Sequence, residues 1–148
     1  MKLLLITIVT VLLLPSPLRS GEKVSPPLNK HVKFSAAVKE KKLKPGSTAT
    51  LLFSLTPDKG IHINLDPPVS FQLDTTLVGF APGSIDLPKK KTFLDASKPI
   101  RQSILLAKML KVGDSIIRGT LTYYYCSDAE GWCSRFKQPV ELKLTIAQ

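Results

Sequence analysis

Residues 123–136 have the sequence YYYCSDAEGWCSRF and contain both cysteines of this 148-residue chain, Cys126 and Cys133. Strand-forming residues precede the first cysteine and follow the second, and six residues that include Gly131 separate them. This pattern predicts a β-hairpin whose strand ends lie opposite each other, with β-carbons about 4.5–5.5 Å apart. A disulfide fits that spacing. A glycine at position 131 suits a loop residue with positive φ.

The rest of the chain predicts further strands. Apolar and polar residues alternate along 31–38 and 48–55, and Asp66-Pro67-Pro68 interrupts a later segment, as is typical of an edge strand. Residues 104–112 are good helix formers, but their position between two strand segments favours a strand. We predict an all-β, immunoglobulin-like antiparallel β-sandwich. The predicted strands are 31–38, 48–55, 61–65 continued by 69–73, 76–80, 100–109, 115–125 and 136–146, with a loop over 81–91.

The N-terminal segment predicts export. Lys2 is followed by the apolar run 3–14 and then by two prolines, which is the layout of a secretory signal peptide and is too short for a membrane-spanning helix. We assign residues 1–20 to a cleaved signal peptide, 21–29 to a mobile leader and 30–148 to one domain. An uncleaved N-terminal anchor is the alternative. The predicted location is the periplasm or the exterior of the cell.

The formal net charge is +10. A basic exported protein can meet anionic lipid headgroups or an acidic partner, and a solvated lysine-rich surface explains the same charge. The chain has no nucleic-acid-binding motif, and the export signal argues against that class of partner. We expect a monomer with no small-molecule substrate and no cofactor.

The two cysteines have three interpretations. A structural staple that closes a loop of this size stabilises the fold by roughly 2–3 kcal/mol. A metal pair needs further ligands, and the only histidines, His31 and His62, lie far away in sequence. A redox-active pair is the third interpretation, and a position at the rim of the sandwich, where a partner can reach it, favours exchange over stapling.

Residues around the cysteines leave these interpretations open. Arg135 and Lys137 follow Cys133 and stabilise a thiolate, whereas the acids of the loop between the cysteines oppose it. Tyr125 and Trp132 either shield the sulfurs from solvent thiols or complete the core.

Two longer stretches resemble a known family. They are YYYCSDAEGWCSRFKQPVELKL, residues 123–144, and LKPGSTATLLFSLTPDKGIHIN, residues 43–64. Together they resemble the N-terminal periplasmic domains of the thiol:disulfide interchange protein DsbD. The resemblance covers roughly residues 30–146. The loop between the cysteines is one residue longer here than in that family, and Ser134-Arg135 replaces a tyrosine-proline run.

The resemblance implies an immunoglobulin-like sandwich in which Cys126 and Cys133 are the reactive pair. It implies that they take electrons from a membrane thiol reductase and pass them to extracytoplasmic thioredoxin-like or isomerase proteins through mixed disulfides. The reductant is then a separate protein. In the family an aromatic of a cap loop covers the disulfide, and Phe93 falls where that loop lies; Tyr125 and Trp132 are further shielding candidates.

The leading hypothesis is therefore an exported thiol–disulfide exchange domain, an electron carrier of the oxidoreductase kind, in which either cysteine can be the attacking one. The alternative is a non-catalytic exported β-sandwich that binds a partner and uses the disulfide as a staple.

Overall fold

A computed structural model describes residues 28–74 and 78–148. The predicted signal peptide, nearly all of the predicted leader and residues 75–77 lie outside these ranges. Within them every regular element is a β-strand, and no helix is long and apolar enough to cross a membrane. The strands are β1 (Val32–Val38), β2 (Thr48–Pro57), β3 (Ile61–Ile63), β4 (Ser70–Leu73), β5 (Phe80–Asp86), β6 (Lys89–Lys90), β7 (Phe93–Leu94), β8 (Ile100–Leu106), β9 (Gly113–Ser127) and β10 (Trp132–Ile146).

The first sheet has the order β1-β2-β8-β5, and all its neighbours are antiparallel. The alternation predicted for its strands is present. In β2, Ala49, Leu51, Phe53 and Leu55 are buried while the residues between them are less so. This sheet therefore has one core face and one face toward solvent.

The second sheet is built on the hairpin of β9 and β10, each 15 residues long. Their ladder runs without a break from the rung of Cys126 with Cys133 to the rung of Gly113 with Ile146. Two short strands pair one after the other with the free side of β9: β3 near the hairpin loop and β4 farther along. The segment between β3 and β4 contains residues 66–68 and leaves the ladder, so the predicted interruption is confirmed, and β4 lies at an edge of the sheet.

A small hairpin of β6 and β7 extends the second sheet. An antiparallel bridge joins Asn64, directly after β3, to Phe93 at the start of β7. The order across the sheet near the disulfide is thus β10, β9, the β3 segment, and then the β6–β7 hairpin.

The two sheets face each other across one hydrophobic core. Leu51 and Phe53 enter it from the first sheet, and Leu121 and Tyr123 from the second; all four have no measurable exposure. The rings of Phe53 and Phe71, from opposite sheets, lie 5.1 Å apart. The predicted all-β antiparallel sandwich is therefore confirmed.

The predicted loop over 81–91 is wrong, because most of it is strand. Residues 80–86 form β5, which pairs with β8 at the edge of the first sheet. Pro82 is tolerated there because the pairing is irregular between Pro82 and Ile85, and because an edge strand has one side without ladder hydrogen bonds. Gly83 is needed, since a β-carbon at this position would lie 2.9 Å from that of Ser103.

Other strand predictions also differ. Of the strand predicted over 76–80, residues 76 and 77 lie outside the described ranges, 78 and 79 form a turn, and only Phe80 belongs to a strand. The strand predicted to begin at residue 61 ends at Ile63. The strand predicted over 100–109 ends at Leu106, where the chain turns back and the amide of Ala107 donates to the carbonyl of Gly79 at 2.9 Å. The central hairpin is longer than predicted, so its loop contains only residues 128–131. The strands thus carry both cysteines inside the ladder rather than in the loop.

Candidate functional site

The cysteines form a disulfide across one rung of the central hairpin. Cys126 and Cys133 are register partners, and their Cα atoms lie 4.1 Å apart. The loop beyond them is tight: the amide of Gly131 donates to the carbonyl of Ser127 at 2.9 Å, and Gly131 has a φ of 68°. The predicted hairpin, bond and glycine conformation are therefore all present.

The disulfide lies on the outer face of the second sheet. Tyr123 and Tyr125 on β9 are buried, with their rings 6.1 Å apart on the core side. Since successive side chains of a strand point to opposite faces, Cys126 projects away from the core. Cys133 shares its rung and so projects the same way.

The two sulfur-bearing residues have different environments. Cys126, on the middle strand of this part of the sheet, is 5 % exposed. Cys133, on the edge strand β10, is exposed. A thiolate arriving from solvent therefore reaches Cys133 and not Cys126.

Asn64 holds the buried sulfur. Its side-chain amide donates a hydrogen bond to Sγ of Cys126 at 3.1 Å, while its backbone amide donates to the carbonyl of Tyr124 at 2.9 Å. The backbone bond fixes Asn64 beside β9 and aims its side chain at the disulfide. Sequence reasoning missed this residue, because an asparagine after a short strand carries no local sign of a partner 62 positions away.

His62 lies on the same rung as Cys126, on the other side from Cys133. Its Nδ1 is 3.3 Å from Oδ2 of Asp128 in the hairpin loop, and its side chain is 17 % exposed. The pair connects the hairpin loop to β3, next to the disulfide. Neither residue was predicted to act together with the other.

Phe93, the predicted cap residue, packs on His62. Their ring centroids are 3.9 Å apart, and the backbone of Phe93 bridges to Asn64. The structure thus places Phe93 over the two β3-segment residues that flank Cys126. The contact of Phe93 with His62 could not be predicted from the sequence, because it depends on the bridge between the start of β7 and the residue after β3.

Tyr125 and Trp132, the other shielding candidates, lie on the core side of the sheet. Each is adjacent in sequence to a cysteine, so its side chain points to the opposite face. Their rings meet edge to face at 5.7 Å, and the ring of His31 lies 5.2 Å from that of Trp132. The indole Nε1 of Trp132 also donates to the carboxylate of Glu130. These aromatic side chains pack together on the core side of the sheet, opposite the disulfide.

Comparisons with known proteins assign no family to this chain. No family model matches it, and no curated protein matches it either. A solved structure described as "ZirS C-terminal Domain" aligns with 97 % of this chain and 88 % of its own length, at 12 % identity and a TM-score of 0.38. A likeness at that level supports no argument about function.

A groove opens next to His62, on the side of β3 that faces away from the disulfide. It has a volume of about 470 Å³ and lies between β3 and the β6–β7 hairpin. Its walls include His62, Phe93, Lys90 and Lys91. Within the described residues no group of three or more metal-ligating side chains occurs. The chemistry available at this site is that of the disulfide itself, flanked by an amide donor and by an imidazole that lines a groove.

Proposed function

We propose that this protein is a thiol–disulfide exchange domain that acts through Cys126 and Cys133. The observation that carries the proposal is the unequal exposure of the two ends of one bond, with Cys133 open to solvent and Cys126 buried beside an amide donor. A purely structural bond requires neither the access nor the donor.

Reduction begins at Cys133. A thiolate of the reductant attacks Sγ of Cys133, so a bond forms between these two sulfurs and the bond from Cys133 to Cys126 breaks. Cys126 leaves with the electron pair as a thiolate, and the amide of Asn64 already points at this sulfur. A hydrogen bond to a charged sulfur is stronger than one to a neutral sulfur, so Asn64 favours the leaving group. A second thiol of the reductant then releases Cys133 and completes the two-electron reduction.

Delivery of electrons uses the same path in reverse. The thiolate of Cys133 attacks a disulfide of the acceptor, whose second sulfur leaves as a thiolate. Cys126 then attacks Sγ of Cys133, which reforms the intramolecular disulfide and releases the reduced acceptor. Because Cys126 is already opposite Cys133 on one rung, this second step requires only local motion.

The direction of flow and the partners are part of the proposal. We infer that the protein is exported, that a separate membrane thiol reductase supplies the electrons, and that thioredoxin-like or isomerase proteins outside the cytoplasm receive them. Two findings support the cap hypothesis for Phe93: its ring packs on His62, and its backbone is anchored to Asn64, which binds Cys126.

Single-cysteine variants test the assignment. The Cys126→Ser variant retains Cys133. Its thiolate attacks the remaining cysteine of a thioredoxin that lacks its own resolving cysteine and carries a small leaving thiol, so that thiol departs and a stable mixed disulfide forms. The Cys133→Ser variant retains only the buried sulfur and forms little. Trp132 is the only tryptophan of the chain and lies next to Cys133, so its fluorescence reports the redox state during the exchange of the wild-type protein. Equal trapping by both variants, or by neither, contradicts the proposed mechanism.

A second candidate function is a binding module with a structural disulfide. It is favoured by the position of the bond, which lies one rung before the last rung of the hairpin and its four-residue loop and so stabilises the hairpin end. In that case removal of both cysteines lowers the free energy of unfolding by about 2–3 kcal/mol and leaves partner binding intact at low temperature. An exchange domain instead loses electron transfer while its fold is largely retained.

A further inference from the structure

We propose that the face around Cys133 is a docking surface for an acidic segment of a partner protein, in which carboxylates flank the reacting cysteine. The inference rests on the proposed exchange activity and names the kind of partner that the site receives. Three cations around the disulfide, Lys90, Lys91 and Arg135, form this basic surface.

Lys90 lies on the same face of the sheet as the disulfide. It shares a rung with Phe93 in the β6–β7 hairpin, so both side chains project from one face. The ring of Phe93 packs on His62, which is on the rung of Cys126. Lys90 is exposed, and its ammonium group is therefore free to reach a molecule bound over the disulfide.

Lys91 occupies an unusual backbone conformation. It has a φ of 57° in the two-residue turn between β6 and β7, a region in which glycine or asparagine is less strained. A side chain in this region costs about 1–2 kcal/mol relative to glycine. This conformation holds Lys91 at the turn, where it lines the groove.

Arg135 flanks the disulfide on the other side. It lies two residues beyond Cys133 on β10, so it projects from the same face of the sheet at about 7 Å along the strand. It is also exposed and shares a rung with Tyr124. The accessible sulfur thus lies between the lysines of the β6–β7 hairpin and this guanidinium group.

The carboxylates near the site are already engaged, whereas the three cations are not. Asp95 is paired with Lys98, Asp128 is paired with His62, and Glu130 accepts a hydrogen bond from the indole of Trp132. Among the described residues no ion pair involves Lys90, Lys91 or Arg135. The three cations are therefore available to carboxylates of an approaching partner, while the carboxylates of Asp128 and Glu130 lie at the hairpin loop.

The groove next to His62 provides room for the acidic segment. It is about 470 Å³ in volume, and Lys90 and Lys91 line it together with His62 and with Asp95, whose carboxylate is paired with Lys98. The groove is connected to the disulfide through His62, which lines the groove and shares a rung with Cys126. Carboxylates in the groove would meet both lysines while the cysteine that comes after them in the segment approaches Cys133.

The test measures disulfide exchange with three short peptides in which a single cysteine is flanked by glutamates, serines or lysines. Oxidised full-length protein is mixed with each peptide, and the rate is divided by the concentration of peptide thiolate. We expect the glutamate peptide to react about threefold to tenfold faster than the lysine peptide at low salt, and the difference to vanish near molar salt.

A pair of charge-matched variants locates the effect. Replacement of the basic surface by glutamine, in Lys90→Gln/Lys91→Gln/Arg135→Gln, should abolish the preference. The control changes the same charge in Lys41→Gln/Lys42→Gln/Lys44→Gln. Those exposed lysines surround Leu43, which bridges to Ile146 at the far end of the hairpin. The hairpin separates them from Cys133 by about 40 Å, roughly four Debye lengths when the low-salt buffer has an ionic strength of about 0.1 M, so the control should keep the preference.

The outcomes separate this inference from the proposed function. Exchange that is rapid with all three peptides, or a preference that both variants lose equally, overturns the acidic partner and leaves the exchange activity standing. Exchange that is slow with every peptide overturns both. Binding of the wild-type protein to phosphatidylserine vesicles, lost only in the variant of the basic surface and without a peptide preference, assigns the surface to a membrane and also overturns the proposal.

Discussion

Cys126 and Cys133 share one rung of the β9–β10 ladder and one disulfide, yet Cys126 is buried and Cys133 is exposed. The difference arises from the sheet order, because β9 is covered on both sides by neighbours near this rung and β10 is at an edge. The two ends of the bond are therefore in different environments, and we expect an attacking thiolate to approach from the side of the exposed residue, Cys133.

The asymmetry predicts selective modification of the reduced protein. Iodoacetamide should alkylate Cys133 several-fold faster than Cys126. The reagent must contact the thiolate directly, and Cys133 is exposed whereas Cys126 is buried. Mass spectrometry of peptides after brief labelling identifies the modified cysteine. Denatured protein provides the control, in which the two rates should converge. Faster labelling of Cys126 in the native protein contradicts the assigned roles.

Removal of the Asn64 amide should make the disulfide harder to reduce. The hydrogen bond from Nδ2 of Asn64 to Sγ of Cys126 is stronger when that sulfur is a thiolate. Asn64→Ala therefore destabilises the reduced state more than the oxidised one. We expect the reduction potential to fall by about 20 mV in alkaline buffer, which corresponds to roughly 1 kcal/mol. Gln72→Ala, an amide removed from exposed β4, is the control and should leave the potential unchanged. A rise in potential for Asn64→Ala would exclude the donor role.

Tyr123 should make the fold sensitive to alkali. Burial raises the pKa of its phenol from 10.0 to about 12, and a hydrogen bond from Nδ2 of Asn29 at 3.1 Å opposes the shift. Between these values the unfolded chain releases the proton and the folded chain retains it, so the free energy of unfolding decreases as pH rises through this window. Denaturant titrations from pH 9.5 to 12 should show a steeper loss for the wild type than for Tyr123→Phe. Parallel losses would exclude Tyr123 as the source.

Gly119 should not tolerate a side chain. A β-carbon there would lie 2.5 Å from Cζ of Phe71 and 2.6 Å from the carbonyl oxygen of Gln72, both on β4. Gly119→Ala therefore pushes β4 away from β9 and should lower the free energy of unfolding by about 1–3 kcal/mol. Urea denaturation measures this, with Ser70→Ala on the exposed side of β4 as the control. A Gly119→Ala variant as stable as the wild type would show that β4 does not pack closely against Gly119 on β9.

Much of the fold could be predicted because its signals are local. The alternation in β1 and β2, the edge interruption at residues 66–68 and the central hairpin each arise from residues close in sequence. The strand β5 could not be predicted, because Pro82 and Gly83 have the local signature of a loop. They are compatible with a strand only at an edge with irregular pairing, and the sheet order decides that.

The site was predicted in part for the same reason. The disulfide between the cysteines is a consequence of the hairpin. Which side chains lie beside it depends instead on the face of the sheet to which each one points and on the pairing of strands that are distant in sequence. Alternation places Tyr125 and Trp132 on the core side once the rung of the cysteines is known. Asn64 and the pairing of His62 with Asp128 depend on the register of β3 against β9, which no local pattern reveals.

The reduction potential of the bond from Cys126 to Cys133 tests the central claim most directly. The protein is equilibrated with graded thioredoxin and glutathione buffers, and Trp132 fluorescence with mass-spectrometric thiol counting gives the oxidised fraction. The exchange function predicts a potential above about −300 mV, with equilibrium reached quickly through Cys133. A potential below about −300 mV, together with slow exchange, would show that the disulfide is a structural staple and contradict the exchange function.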